Sequence, residues 1–218
     1  GAVVPLSSGT TKIVIRHGAQ SVEVPVTVTG IRSRAAVSFT RDVIPVLTRS
    51  GCNQGTCHGA QYGKGGFKLS LLGFAPERDF APIVRDDLRR RVSLLQPEDS
   101  LILNKAMLEV GHGGGRRFQH GSYDHQVLLA WLNAGVPEPA DDEPSVVGLS
   151  LTPAERDYRV DQGQQLRVVA SYSDNTTRDV TGTARYDTLN ESVATVTESG
   201  FVTTVGQGQA AVMVRFGG

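Results

Sequence analysis

The sequence predicts a multidomain α + β protein in which a mainly α-helical middle section is flanked by β-sandwich structure. Three observations carry that expectation. Apolar residues alternate with polar ones near the start, where Ile13 and Ile15 are followed by Val22, Val24, Val26 and Val28. Residues 38–137 change to helix signals and glycine-rich loops. Beyond residue 145, short apolar runs recur with turn residues between them, the spacing of a sandwich. At 218 residues the chain is long for one domain and comfortable for two. A hydrophobic content of 39% with 20% charged residues fits folded protein and excludes a disordered tail.

Residues 1–30 read as a β-hairpin turning at Gly18-Ala19-Gln20, too small to bury a core alone. In the middle section, Ser38 or Thr40 caps a first helix bearing Phe39, Val43, Val46 and Leu47, with Pro45 expected to bend it. A second helix begins near Pro76, and a third follows Pro97-Glu98-Asp99-Ser100. The clearest starts after Ser122 and carries Tyr123, Val127, Leu128, Trp131 and Leu132 until Gly135 and Pro137 stop it. Phe67, Leu69 and Leu71 alternate as a short strand, with Val92-Ser93-Leu94 as its partner.

A polar, proline-containing linker follows. Strands are then expected at Leu149–Leu151, Leu166–Ala170, Ala194–Val196, around Val202, and at Val212–Val214. The pattern Val202, Val205, Gly208, Val212, Val214, Arg215, Gly217 repeats Val3, Leu6, Gly9, Ile13, Ile15, Arg16, Gly18 without a gap. Residues 1–34 therefore read as the C-terminal hairpin of a preceding module whose nearly complete copy is 146–218, its last strand missing. Ser21–Thr29 has the sequence to fill the open edge of that copy, within the chain or from a neighbouring molecule.

Charge and hydropathy exclude several function classes. Lys plus Arg equals Asp plus Glu at 22 each, so the basic footprint of a nucleic-acid binder is missing. Arg89-Arg90-Arg91 beside Asp86 and Asp87 reads as a solvated mixed face. No apolar run approaches the roughly 20 residues of a membrane-spanning helix. The opening Gly1-Ala2-Val3-Val4-Pro5 does not read as a signal peptide, and a segment cut from a larger exported protein would look the same.

The chemistry is concentrated in Cys52-Asn53-Gln54-Gly55-Thr56-Cys57-His58, which holds the only two cysteines of the chain. Two thiols followed at once by an imidazole are what covalent haem attachment needs. Each sulfur forms a thioether at one porphyrin vinyl group, and the adjoining His58 binds the iron as its proximal ligand. The usual spacing is C-x-x-C-H; four residues intervene here, a bulge that Gly55 would permit. A Cys52–Cys57 disulfide and half of a zinc site are the alternatives, although zinc needs four ligands and no second cysteine pair exists.

For the distal iron ligand, His112 precedes three glycines that would let the backbone approach a porphyrin face, whereas Met107 falls in a helical pattern where Met is core filler. His112 is preferred and Met107 second. Arg116, Arg117 and Lys64 are candidates to pair with the haem propionates, against a default of solvated surface charge. His120 and His125 are weaker candidates, His125 reading as a partly buried structural histidine, while His17 reads as a surface residue of the hairpin and Trp131 as a core aromatic. No nucleophile elbow and no dinucleotide fingerprint occurs.

These residues carry a family resemblance. Ser38-Phe39-x-Arg41-Asp42-Val43-Ile44-Pro45-Val46-Leu47, Gly51-Cys52-x4-Cys57-His58-Gly59, Gly63–Leu71, His112-Gly113-Gly114-Gly115-x-Arg117-Phe118 and Tyr123…Trp131-Leu132-x-x-Gly135-x-Pro137 resemble planctomycete-type cytochrome c-like domains. Residues 146–218 resemble the bacterial Ig-like group 2 domain through Ser192–Val196, Gly200–Thr203 and Gly206-x-Gly208. The resemblance implies a cytochrome c-like haem domain at 35–138, a linker at 139–145 and an Ig-like domain at 146–218. It also implies haem c, electron transfer rather than enzymatic catalysis, and a periplasmic or cell-surface location within a larger exported protein. The partners it implies are a redox partner and the other domains of that parent protein. A haem sensor or haem enzyme with a displaceable distal ligand, and a non-redox adhesion or glycan-binding module, are the rival functions.

Overall fold

A computed structural model describes residues 7–29 and 37–217. The chain divides into two units, Gly1–Ala36 and Val37–Gly218.

In the first unit, β1 (Gly9–His17) and β2 (Gln20–Val28) form one antiparallel hairpin. The alternation places Ile13 opposite Val24 and Ile15 opposite Val22, so the apolar residues share a face, and Lys12 pairs with Glu23 at 2.6 Å. β2 is bonded to β1. Val3 and Leu6 of the internal repeat lie outside the described residues. Two matched glycine pairs share backbone conformations: Gly9 and Gly208 have φ of 155° and 138°, Gly18 and Gly217 of 58° and 65°.

The second unit opens on Ser38. Its hydroxyl accepts the Arg41 amide at 2.8 Å, and the Asp42 carboxylate accepts the Ser38 amide at 2.9 Å. The segment Phe39–Val43 begins with a wide i→i−5 bond, Val43 N–H to Ser38 carbonyl at 3.1 Å, before α1 (Ile44–Arg49) takes over. Pro45 does not bend one continuous helix as expected. It sits in the first turn of α1, where its missing N–H costs nothing, and the register widens just ahead of it.

Next come α2 (Pro76–Val84), starting at its proline, α3 (Leu101–Ala106) and α4 (Tyr123–Asn133). The Ser122 hydroxyl caps α4 by accepting the His125 amide at 3.3 Å. These helices are short, joined by long loops, and surround Phe39, Ile44, Ile83, Leu103, Leu128 and Trp131, all buried. Phe39 is the hub. Its ring centroid lies 5.2 Å from Phe80 in edge-to-face contact and 5.4 Å from Trp131, whose Nε1–H donates to the Pro137 carbonyl at 3.1 Å. The strand expected at 67–71 with 92–94 does not form. Only an isolated Lys64–Phe67 bridge is made, and the Leu69 amide goes instead to the His58 carbonyl at 2.8 Å. Docking onto that loop satisfies the backbone and buries Leu69, which a free two-stranded ribbon would not do.

β3 (Val146–Thr152), β5 (Arg167–Tyr172) and β6 (Thr177–Asp179) form one sheet; β4 (Gly163–Gln165), β9 (Phe201–Thr204) and β8 (Ala194–Val196) form a second; β7 (Arg185–Thr188) pairs with β10 (Val212–Arg215). Val168, Ala170 and Tyr172 alternate inward on β5 and meet Val180, Ala184 and Phe216, while Leu166, Ala194 and Val202 form a second cluster. Leu151 and Tyr186 touch both. No helix among the described residues is long and apolar enough to cross a membrane.

The helical core should depend on its aromatic hub. Phe39→Ala should lower stability by about 3–5 kcal/mol, measured by urea unfolding followed through the fluorescence of Trp131, the only tryptophan.

Candidate functional site

The position of Cys52 is set by the end of α1. Gly51 takes φ of 74°, and the chain reverses so that the Gly51 amide closes on the Thr48 carbonyl at 3.1 Å and the Cys52 amide on the Leu47 carbonyl at 2.8 Å. This is a Schellman ending, in which left-handed backbone satisfies carbonyls the helix leaves open. The next turn is held by two carbonyls. Gln54 accepts the amides of Cys57 and Gly59, both at 2.9 Å, and Cys52 accepts the His58 amide at 3.0 Å. Asn53 is fully buried, its Nδ2 donating to the Thr48 hydroxyl at 2.8 Å. Gly55, expected to permit the bulge, does not take a positive φ. The tight point is Gly59, where a Cβ would stand 2.1 Å from the Asn53 carbonyl oxygen. Four spacer residues thus close on themselves through hydrogen bonds.

The loop faces a cavity of about 300 Å³. Its apolar wall includes Leu47, Phe67, Leu69, Leu101, Ile102 and Phe118, and Cys52, His58 and His112 also line it. The His58 and His112 ring centroids are 6.3 Å apart with planes 12° from parallel. Each imidazole is fixed through Nδ1, His58 on the Phe67 carbonyl at 3.0 Å and His112 on the Gly115 carbonyl at 2.9 Å. A carbonyl can only accept, so both Nδ1 atoms carry the proton and both Nε2 lone pairs are free. That is how metal-binding histidines are oriented. Gly114 makes room beside His112, since a Cβ there would lie 2.9 Å from Cε1 of the ring.

Burial governs the local ionisation. It pushes the Cys52 thiol up to about 12, with Arg117 opposing, so that sulfur stays protonated and is no thiolate ligand or nucleophile at neutral pH. Burial also lowers His58 below its ordinary value, which favours the neutral imidazole. The two cysteines are not joined in a disulfide. Among the described residues no group of three His, Cys, Asp or Glu side chains is placed to hold a metal ion.

A planar tetrapyrrole brings four nitrogens of its own and asks only two ligands of the protein, and two imidazoles, stacked 6.3 Å apart with nearly parallel planes, line this cavity.

The other candidates fall elsewhere. Met107 is buried in the helical core and does not line the cavity. Its helical pattern turns it inward, as expected of core filler. Arg116 and Arg117 are not among the lining residues, though Arg117 donates to the carbonyl of Gly114, which is. Lys64 does line it and reaches the Gly113 carbonyl at 3.3 Å. Trp131 stays in the core, and His17 is exposed on β1. His125 is buried on α4, its Nδ1 accepting the Gly121 amide at 3.3 Å and its ring 4.5 Å from that of exposed His120.

The sequence reading missed the cationic rim. Arg90, Arg91 and Lys105 line the cavity beside a single acid, Asp87. Asp87, Leu88 and Arg89 occupy three successive left-handed positions, with φ of 52°, 57° and 60°. Arg91 lies 4.3 Å over the Phe67 ring and donates to the Pro82 carbonyl at 3.0 Å. No periodicity announces a run of left-handed non-glycine residues.

Comparison with known proteins identifies the sandwich. Residues 145–215 match the bacterial Ig-like domain (group 2) family. No curated protein gives a significant match to the chain. The Ig-like domain packs directly against the helical section. Arg178 on β6 pairs with Asp42 at 2.7 Å, and Glu143 with Arg41 at 2.9 Å. Tyr123 and Tyr172 border Arg178, and burial raises both phenols. On β7 of the Ig-like domain, the Arg185 guanidinium lies against the side-chain amide of Gln54, between the two cysteines, and donates to its carbonyl once that amide is turned oxygen-first toward it.

Burial lowers His125 below its ordinary value of 6.5, so the unfolded chain binds the proton first as pH falls. The chain should therefore lose stability from about pH 7 downward, until the lowered native value is passed. His125→Asn, which keeps an acceptor for Gly121, should flatten part of that slope in urea titrations at successive pH values.

Proposed function

We propose that residues 37–137 form a c-type cytochrome module that carries single electrons, within a larger exported protein. Cys52 and Cys57 would hold haem c through thioethers, His58 would bind the iron as proximal ligand, and His112 as distal ligand. The observation that carries this reading is the imidazole pair, 6.3 Å apart and nearly parallel, with both Nδ1 atoms tied to backbone carbonyls.

The bound haem would supply a reversible one-electron iron couple, at lower potential with two imidazoles than with His and Met. The chain's own residues do the rest. His58 and His112 would both hold the iron and leave it no open site for oxygen or peroxide, which favours transfer over catalysis. Leu47, Phe67, Leu69, Leu101, Ile102 and Phe118 would give the group an apolar wall. Lys64, Arg90 and Lys105 line the same cavity and would meet ligand carboxylates. The Ig-like match supports a periplasmic or cell-surface location, because such domains are typical of exported proteins. The same match favours a second reading, a non-redox adhesion module. That reading leaves the paired imidazoles without a task.

Production with a cytochrome c maturation system separates these readings. The haem reading expects the mass of one covalently bound haem, a pyridine haemochrome spectrum of two thioethers, and a low-spin ferric form. Cys52→Ala should leave a single thioether, and His112→Ala should turn the spectrum high-spin while haem stays attached. A correctly matured chain that is colourless would support the adhesion module, and a high-spin resting state would support a sensor or enzyme.

A further inference from the structure

The C-x4-C-H loop has two spacer residues more than the usual motif, and one of the four, Gln54, is its organising centre. Its backbone carbonyl accepts the amides of Cys57 and Gly59 at once, each at 2.9 Å, so whatever fixes Gln54 fixes the second cysteine and His58. Its side chain packs beside Gly51, where an added Cβ would lie 3.1 Å from the amide end. With that amide turned oxygen-first, its carbonyl accepts from Arg185 of the Ig-like domain.

Arg185 is itself held in place. Asp187 grips it through two bonds, Nε at 3.0 Å and Nη2 at 2.9 Å, and Asp187 also binds Arg215 at 2.5 Å. Arg185 and Arg215 stand directly opposite on β7 and β10, a repulsive placement unless a carboxylate lies between them. Asp187 supplies that carboxylate, and the two guanidinium groups draw its carboxyl below the ordinary value. One net positive charge is left, with Arg185 donating to Gln54. Arginine suits this work because its planar fork can serve Asp187 and Gln54 together.

We propose that the Ig-like domain is part of the attachment site rather than a spacer beside it. Arg185 is a positioning residue that clamps Gln54 and thereby holds the widened C-x4-C-H loop in shape. The inference adds a role for the sandwich to the proposed function, yet it concerns the loop itself and requires no bound haem.

Native-state hydrogen exchange on the full-length, haem-free chain tests it at the amides of Cys57, His58 and Gly59. Arg185→Ala should speed their exchange roughly tenfold or more, as loss of a charge-assisted bond implies. Arg185→Lys, which keeps a donor and a partner for Asp187, should restore slow exchange in part. Gln54→Ala, which leaves the sandwich untouched, should produce the same acceleration, and the double variant should add nothing further. Arg178→Ala breaks the other interdomain ion pair without touching the loop and should leave those amides slow. Unchanged exchange in Arg185→Ala and Gln54→Ala, or equal acceleration in Arg178→Ala, overturns the proposal. Because no haem is needed, failure here leaves the cytochrome reading standing, and a colourless matured protein leaves this test intact.

Discussion

The reversal at Gly51 is the constraint from which the rest of the site follows. A six-residue helix leaves its last carbonyls open, and only a left-handed residue can fold the next two amides back over them. That closure delivers Cys52 to the cavity wall and starts the turn in which Asn53 is buried, Gln54 gathers two amides and His58 faces inward. A side chain at residue 51 would force left-handed backbone on an ordinary residue and crowd Gln54. The glycine therefore links a feature of α1 to the chemistry seven residues later.

The cavity owes its character to opposed demands. Its apolar wall raises the cost of charge, keeping the Cys52 thiol protonated and His58 neutral. Four cations nevertheless stand at its lining against one acid. Three of them are kept there by local bonds: Lys64 on the Gly113 carbonyl, Lys105 on the Gly111 carbonyl at 3.0 Å, and Arg91 on Asp87 and the Phe67 face. A largely apolar ligand that ends in carboxylates satisfies both the wall and the rim, and a haem with its propionates is such a ligand.

The helical section and the Ig-like domain share a polar seam. Arg178 with Asp42, Arg41 with Glu143 and Arg185 with Gln54 connect side chains far apart in the sequence. Ion pairs exposed to water contribute little to stability. Asp42 and Glu143 are mostly buried in this seam, which makes it specific to one arrangement of the two parts. Residues 138–145 therefore do not work as a free tether, although their composition reads as a linker.

By itself the sequence determined what is local. Helix starts at Ser38, Pro76 and Ser122, the hairpin of β1 and β2, the strands β3, β5, β8, β9 and β10, and the cysteine–histidine motif all follow from caps, periods and spacings of a few residues, whereas β4, β6 and β7 carried no such signal. Only the tertiary structure decided what depends on segments meeting. It brought His112 beside His58 across more than fifty residues, sent Leu69 to the loop instead of a strand partner, and removed Met107 to the core. It also set Arg90, Arg91 and Lys105 at the cavity, beside a left-handed turn without a sequence signature. The physical reason is that capping and periodicity are short-range preferences of the backbone. Which charge faces a cavity is instead settled by burial and by the hydrogen bonds left over once the core has packed.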